Sequence, residues 1–206
     1  MLNGNDKMMI KHVPNILTIL RIIAIPFFVV SSMKGASVLA LFIFIFACFT
    51  DYFDGKIARK YNIITDFGKL MDPLADKFLV ISALVLLCIA PISYIHWSVI
   101  MIIFIREVAV TVLREKYKKN NVVLPADIWG KVKTITQMIG VIFALLFYAV
   151  VQNTMLCIES GFWCYFRFIL DIELRVIFFM QIYFWIVAGL TVMSGINYFI
   201  TKKSNQ

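Results

Sequence analysis

The chain has 206 residues, 62% of them hydrophobic and only 16% charged, and a mean hydropathy of +0.89. That composition excludes an ordinary soluble domain and indicates an integral membrane protein. Lys and Arg number 20 against 12 Asp and Glu, and they cluster between apolar runs, where they suit anionic headgroups or phosphates. No soluble domain remains to carry a basic groove, so nucleic acid is not expected as a partner.

About 20 mainly apolar residues are needed to cross a bilayer as a helix. Six spans are predicted in chain order: Val13 to Ser32, Ala36 to Ala58, Asp72 to Ala90, Tyr94 to Leu113, Ile128 to Gln152 and Val176 to Ile200. The stretch from Phe78 to Ile105 holds no Asp, Glu, Lys or Arg and is too long for one span; Pro91, with Ser93 nearby, divides it. Little remains outside the spans and their short links. The expected fold class is therefore an all-α membrane protein of six transmembrane helices, forming a single domain over residues 1–206. The first apolar segment is too long for a cleavable signal and no small-residue cleavage site follows it, so it is expected to stay as an anchor.

Lys and Arg set the orientation. Lys56, Arg59, Lys60 and Lys69 follow the second span, and Arg114, Lys116, Lys118 and Lys119 follow the fourth, with Lys131 and Lys133 just beyond. The link after the first span offers only Lys34, and the link after the third offers neither Lys nor Arg. The two basic links are thus expected in the cytoplasm of a multi-pass cell-membrane protein, and an even number of spans puts both termini there too. The connection Asn153 to Arg175, with Phe162, Trp163, Tyr165 and Phe166, is expected to lie on the outer face as an aromatic-anchored interfacial segment. Cys48, Cys88, Cys157 and Cys164 form no CxxC pair and accompany no histidine cluster, so neither zinc nor redox chemistry is expected of them.

Against this apolar background stands DYFDGKIARKYNIITDFGKLMDPLADK, Asp51 to Lys77. Asp51 and Asp54 are three residues apart at the end of the second span, and Asp72 and Asp76 four apart at the start of the third, so each pair shares a helix face. An antiparallel turn between them lets both pairs converge at the cytoplasmic boundary, where the active site is expected. Carboxylates packed together near a low-dielectric region require compensating cations. All-oxygen ligands favour hard dications, Mg²⁺ first, with Mn²⁺ or Ca²⁺ after it. Two such ions would balance four negative charges, and paired metals serve phosphoryl displacement. Gly55, Ala58 and Gly68 open space between helices, either for a ligand or for close helix packing. Asp66 falls outside the regular spacing and reads as a helix cap.

This string resembles the signature of the CDP-alcohol phosphatidyltransferase family, with every signature position filled. The resemblance implies a six-helix CDP-alcohol phosphotransferase fold, often dimeric, in which an alcohol attacks the pyrophosphate of a CDP-linked lipid and CMP leaves. By position, Asp51, Asp54 and Asp72 resemble that family's metal ligands. Asp76 resembles the carboxylate that neighbours the second metal and takes the proton of the attacking hydroxyl. Gly55, Ala58, Arg59 and Gly68 match positions associated with nucleotide binding, although Arg59 could also pair with an aspartate.

Three further stretches bear on the substrates. In PNILTILR, Asn15, Thr18 and Arg21 fall on one flank of the first helix and are candidates to line the CDP-lipid pocket, or alternatively to bond neighbouring helices. IREVAVTVLRE and GKVKTITQ supply Arg106, Arg114, Lys131 and Lys133, a basic set expected beside the aspartates and suited to a phosphate on the acceptor. All three stretches resemble the branch of the family whose acceptor is sn-glycerol 3-phosphate. The expected partners are therefore CDP-diacylglycerol, glycerol 3-phosphate, membrane lipid and a second copy of the chain. Inositol phosphate, serine and phosphatidylglycerol are competing acceptors. A cation channel or transporter would distribute its acidic residues along a path across the membrane, whereas here they gather at one edge.

Overall fold

Backbone polar groups inside a bilayer must be satisfied within the chain, and helices do this segment by segment. The computed structural model describes residues 4–61, 66–89, 93–119, 128–158 and 163–204. These form six helices: α1 (Gly4–Met33), α2 (Ser37–Tyr61), α3 (Asp66–Cys88), α4 (Trp97–Lys119), α5 (Ile128–Ile158) and α6 (Trp163–Ser204). Each expected span falls largely on one of them. Three described stretches are long and apolar enough to cross a membrane, Asn15–Met33, Ile128–Asn153 and Ile172–Ile196; the apolar stretch of α2, Ser37–Asp51, is shorter.

The largest departure from expectation concerns Asn153 to Arg175. The helices reach further into this connection than the expected spans do: α5 runs on to Ile158 and α6 begins at Trp163 and extends for 42 residues. The reason is local. WCYFRFILDIELR contains no Gly or Pro to break a helix, and its aromatic residues report a preferred depth near the interface, not a backbone conformation. Similarly, α3 begins at Asp66, ahead of the expected Asp72, and continues through Pro73 at the cost of one backbone hydrogen bond.

The helices gather into two compact units, residues 1–86 and 87–206. In the first, α1 and α2 pack closely. Their buried residues recur at helical spacing: Thr18, Arg21, Phe28 and Ser31 or Ser32 on α1, and Ser37, Ala40, Phe44, Ala47 and Thr50 on α2. Alanine and serine let the backbones approach, and the Phe28 and Phe44 rings meet with centroids 5.5 Å apart. The opposite faces carry Ile19, Ile23, Phe27, Phe42, Phe46 and Phe49, all exposed, as a lipid-facing surface requires. Gly35 ends α1 in the left-handed region, at φ 75°. Ala36 N–H donates to Ser31 O at 2.9 Å and Gly35 N–H to Ser32 O at 3.1 Å, a Schellman closure that turns the chain into α2.

In the second unit α6 packs against both α4 and α5. Its buried face is Met180, Phe184, Val187, Ala188, Thr191 and Ser194. Gly140 of α5 lies directly under the Tyr183 ring, where a Cβ would overlap it. That contact fixes the tyrosine so that its hydroxyl donates to Thr136 O at 2.7 Å, tying α6 to α5.

Candidate functional site

The first unit holds the acidic residues. Arg21, three residues after the buried Thr18 on α1, is fully buried, and its Nη1 lies 2.8 Å from Oδ1 of Asp51 on α2. The Asp51 side chain is 47% exposed, so the carboxylate is anchored on one side and open on the other. Such a charge-assisted contact fixes orientation as well as charge. Cys48, one turn before Asp51, lies within electrostatic reach of Asp51, Asp76 and Arg21. Asn15 and Asp76 are partly buried.

Asp54, Gly55, Ala58, Arg59, Gly68 and Asp72 lie outside the residues whose side chains are described. Among the described residues no three Cys, His, Asp or Glu side chains group as a metal site. The donor set nevertheless fits a hard cation. Asp51 and Asp76 come from separate helices, both offer only oxygen, and the Asp51 side chain is about half exposed. An apolar cavity of about 310 Å³ is lined by Ile22 and Ile25 of α1 and by Met71, Leu74, Ala75 and Phe78 of α3.

The second unit holds the basic residues. Arg106 on α4 donates from Nη1 to Oε1 of its neighbour Glu107 at 3.1 Å and from Nη2 to Ser194 Oγ of α6 at 2.6 Å. Lys133 of α5, only 3% exposed, donates to the same Glu107 oxygen. The carboxylate they share offsets part of the repulsion between the two cations. Arg106 Nε is buried and has no hydrogen-bond partner among the described residues. Gly130 of α5 and Gly195 of α6 flank the arginine: a Cβ on Gly195 would stand 3.4 Å from Arg106 Cγ, and one on Gly130 3.9 Å from Nη2.

Arg106 and Lys133 are thus brought together, while Arg114 and Lys131 are exposed. Helical geometry accounts for Lys131: two residues from Lys133, it points about 200° away around α5. Ser194, buried in α6, was not among the sequence-derived candidates. Its only sequence signal is a Ser-Gly pair within an apolar run, which in membrane helices usually means close packing.

Residues 11–192 match the CDP-alcohol phosphatidyltransferase family. The chain belongs to that family. Among similar proteins, one from Rickettsia bellii, named CDP-diacylglycerol--glycerol-3-phosphate 3-phosphatidyltransferase, is 36% identical over 196 residues, covering 94% of this chain and 96% of the relative. A Bacillus subtilis protein of the same name is 35% identical over 206 residues, covering 91% and 93%. A Mycobacterium tuberculosis protein named probable phosphatidylglycerophosphate synthase is 41% identical over 138 residues, and there the match spans 64% of this chain and 65% of the relative. As a CDP-alcohol phosphatidyltransferase the chain falls in a metal-dependent phosphotransferase type, and its apolar helices make it an integral membrane protein.

Proposed function

We propose that this protein transfers the phosphatidyl group of CDP-diacylglycerol to sn-glycerol 3-phosphate, giving phosphatidylglycerophosphate and CMP. The observation that carries the reading is the match, over more than nine-tenths of the chain, to family members bearing that activity in their names. Two features of the structure support it. A phosphorylated acceptor suits the part-buried Arg106 and the buried Lys133, which share one carboxylate and so leave positive charge in excess. A lipid-linked donor suits the apolar cavity between α1 and α3.

In the reaction, the 1-hydroxyl oxygen of the acceptor forms a bond to the phosphatidyl phosphorus, the bond from that phosphorus to the CMP oxygen breaks, and the hydroxyl proton goes to Asp76. A carboxylate is a competent base only while ionised. Asp51, Asp54, Asp72 and Asp76 would hold two divalent ions, Mg²⁺ with Mn²⁺ as an alternative. When bound, such ions neutralise the charge developing on the leaving CMP. Arg21 orients Asp51 for that task; Asn15, Thr18, Gly55, Ala58, Arg59 and Gly68 are assigned to the CDP-lipid. Arg106 and Lys133 bind the acceptor phosphate, with Arg114 and Lys131 as outer members of the same set. Metal removal tests the scheme: purified protein stripped with a chelator is expected to lose CMP release and to regain it with Mg²⁺, whereas release that persists without metal would contradict it.

The reading includes six membrane spans in a homodimer, with both termini and the active site in the cytoplasm. Labelling of single cysteines placed at Lys34 and Lys116 by a membrane-impermeant thiol reagent is expected to reach the first from outside the cell and not the second. The reverse pattern would invert the orientation.

A further inference from the structure

The acceptor set contains two residues that carry no assigned part in phosphate binding, yet both hold Arg106 directly. Glu107 accepts from Arg106 Nη1 and from Lys133, and Ser194 Oγ accepts from Arg106 Nη2. We propose that Glu107 and Ser194 are positioning residues for the acceptor-phosphate site: Glu107 keeps Arg106 and Lys133 together, and Ser194 fixes the plane of the guanidinium. The proposal rests on the assignment of Arg106 and Lys133 to the acceptor phosphate.

The geometry carries it in three steps. First, the three cationic and anionic side chains come from two helices and the hydroxyl from a third, so the guanidinium is held from both ends. An arginine has several rotatable bonds, and fixing both ends before a ligand arrives removes part of the ordering cost that binding would otherwise carry. Second, the surroundings are built to this shape. Gly130 and Gly195 border Arg106 within van der Waals range, and Ser194 is fully buried, so its hydroxyl has a structural reason to face Arg106. Third, the grip is incomplete in a useful way. Arg106 Nε is buried and has no partner among the described residues. An incoming phosphate oxygen therefore meets a donor that is already placed and not yet spent. One carboxylate between two cations leaves net positive charge, so Glu107 orders the pair without cancelling its attraction for a phosphate.

A purely structural role for this cluster would lower stability and the apparent kcat through loss of folded protein and would leave KM unchanged. A positioning role moves KM instead. Purified full-length Glu107→Gln and Ser194→Ala are expected to raise KM for sn-glycerol 3-phosphate about tenfold or more, with KM for CDP-diacylglycerol and kcat at saturating acceptor changed less than about threefold. Ser194→Thr, which keeps the hydroxyl, is expected to restore most of the acceptor KM. Arg106→Ala is measured in the same assay. If it leaves the acceptor KM unchanged, the assignment of the phosphate to Arg106 fails, and this proposal with it. If it raises KM while Glu107→Gln and Ser194→Ala do not, only the positioning proposal is overturned. Should Glu107→Gln fail to fold, Ser194→Ala and its threonine partner decide the matter alone.

Discussion

Asp76→Asn is expected to lower kcat for CMP release by about 10²–10⁴-fold, the range typical for loss of a general base, while CDP-diacylglycerol still binds. Asparagine has nearly the size of aspartate and keeps one oxygen that can approach a cation, but its amide takes no proton at neutral pH. The substitution therefore removes the proton transfer and spares most of the packing. That packing is substantial: the adjacent Ala75 is 2% exposed and Leu79, one residue beyond Phe78, is 1% exposed, so the backbone of α3 is held firmly on either side. The thermal transition of the variant should lie close to that of the parent, and the Michaelis constant for CDP-diacylglycerol should change little. Unchanged turnover would remove Asp76 from the role of base, and a large loss of stability would reassign the residue to structure.

Asp51→Ala carries the second large effect, and it acts on two levels. It removes an oxygen ligand from the acidic cluster, and it deprives the fully buried Arg21 guanidinium of the carboxylate 2.8 Å away. Breaking a buried ion pair by removing one partner is costly because the remaining charge stays in a low dielectric. Asp51 is half exposed, so its loss is expected to cost about 1–3 kcal/mol, less than for a fully buried pair. Activity should fall at least as far as in Asp76→Asn. The two levels separate in the double variant Arg21→Met/Asp51→Ala, which removes the guanidinium along with its partner. Stability is expected to recover most of the loss, and activity none of it. Recovery of activity with stability would show that Asp51 serves only to hold Arg21.

Much of this architecture was legible in the sequence because membrane chemistry is restrictive. Apolar runs of span length had to be helices, and each expected span falls largely on one of the six helices, the largest extension being that of α5 and α6 into Asn153 to Arg175. What stayed hidden was which side of each helix faces inward. In a soluble protein, polarity tells the two faces apart, whereas here Phe42, Phe46 and Phe49 point outward and Thr18, Ser31 and Ala47 inward. The charged residues were easier to find than to pair. Arg21 was recognisable as an arginine too deep to face lipid, but its contact with Asp51 required the packing of α1 on α2. Lys131 and Lys133 looked equivalent until the turn of α5 separated them, and Ser194 gave almost no sign of its contact with Arg106, which lies 88 residues earlier. The spacing of the aspartates was the clearest feature of all, since two helix-compatible pairs in an otherwise oily chain have few chemical uses.

The central claim is that a phosphatidyl group moves from CDP-diacylglycerol to glycerol 3-phosphate. Its most direct test is CMP release by the purified, Mg²⁺-supplied protein with CDP-diacylglycerol and, in separate reactions, sn-glycerol 3-phosphate, inositol phosphate, serine and phosphatidylglycerol, with the lipid product identified in each. The predicted result is CMP and phosphatidylglycerophosphate in equal amounts with glycerol 3-phosphate alone. Turnover with another of these alcohols and none with glycerol 3-phosphate would contradict it.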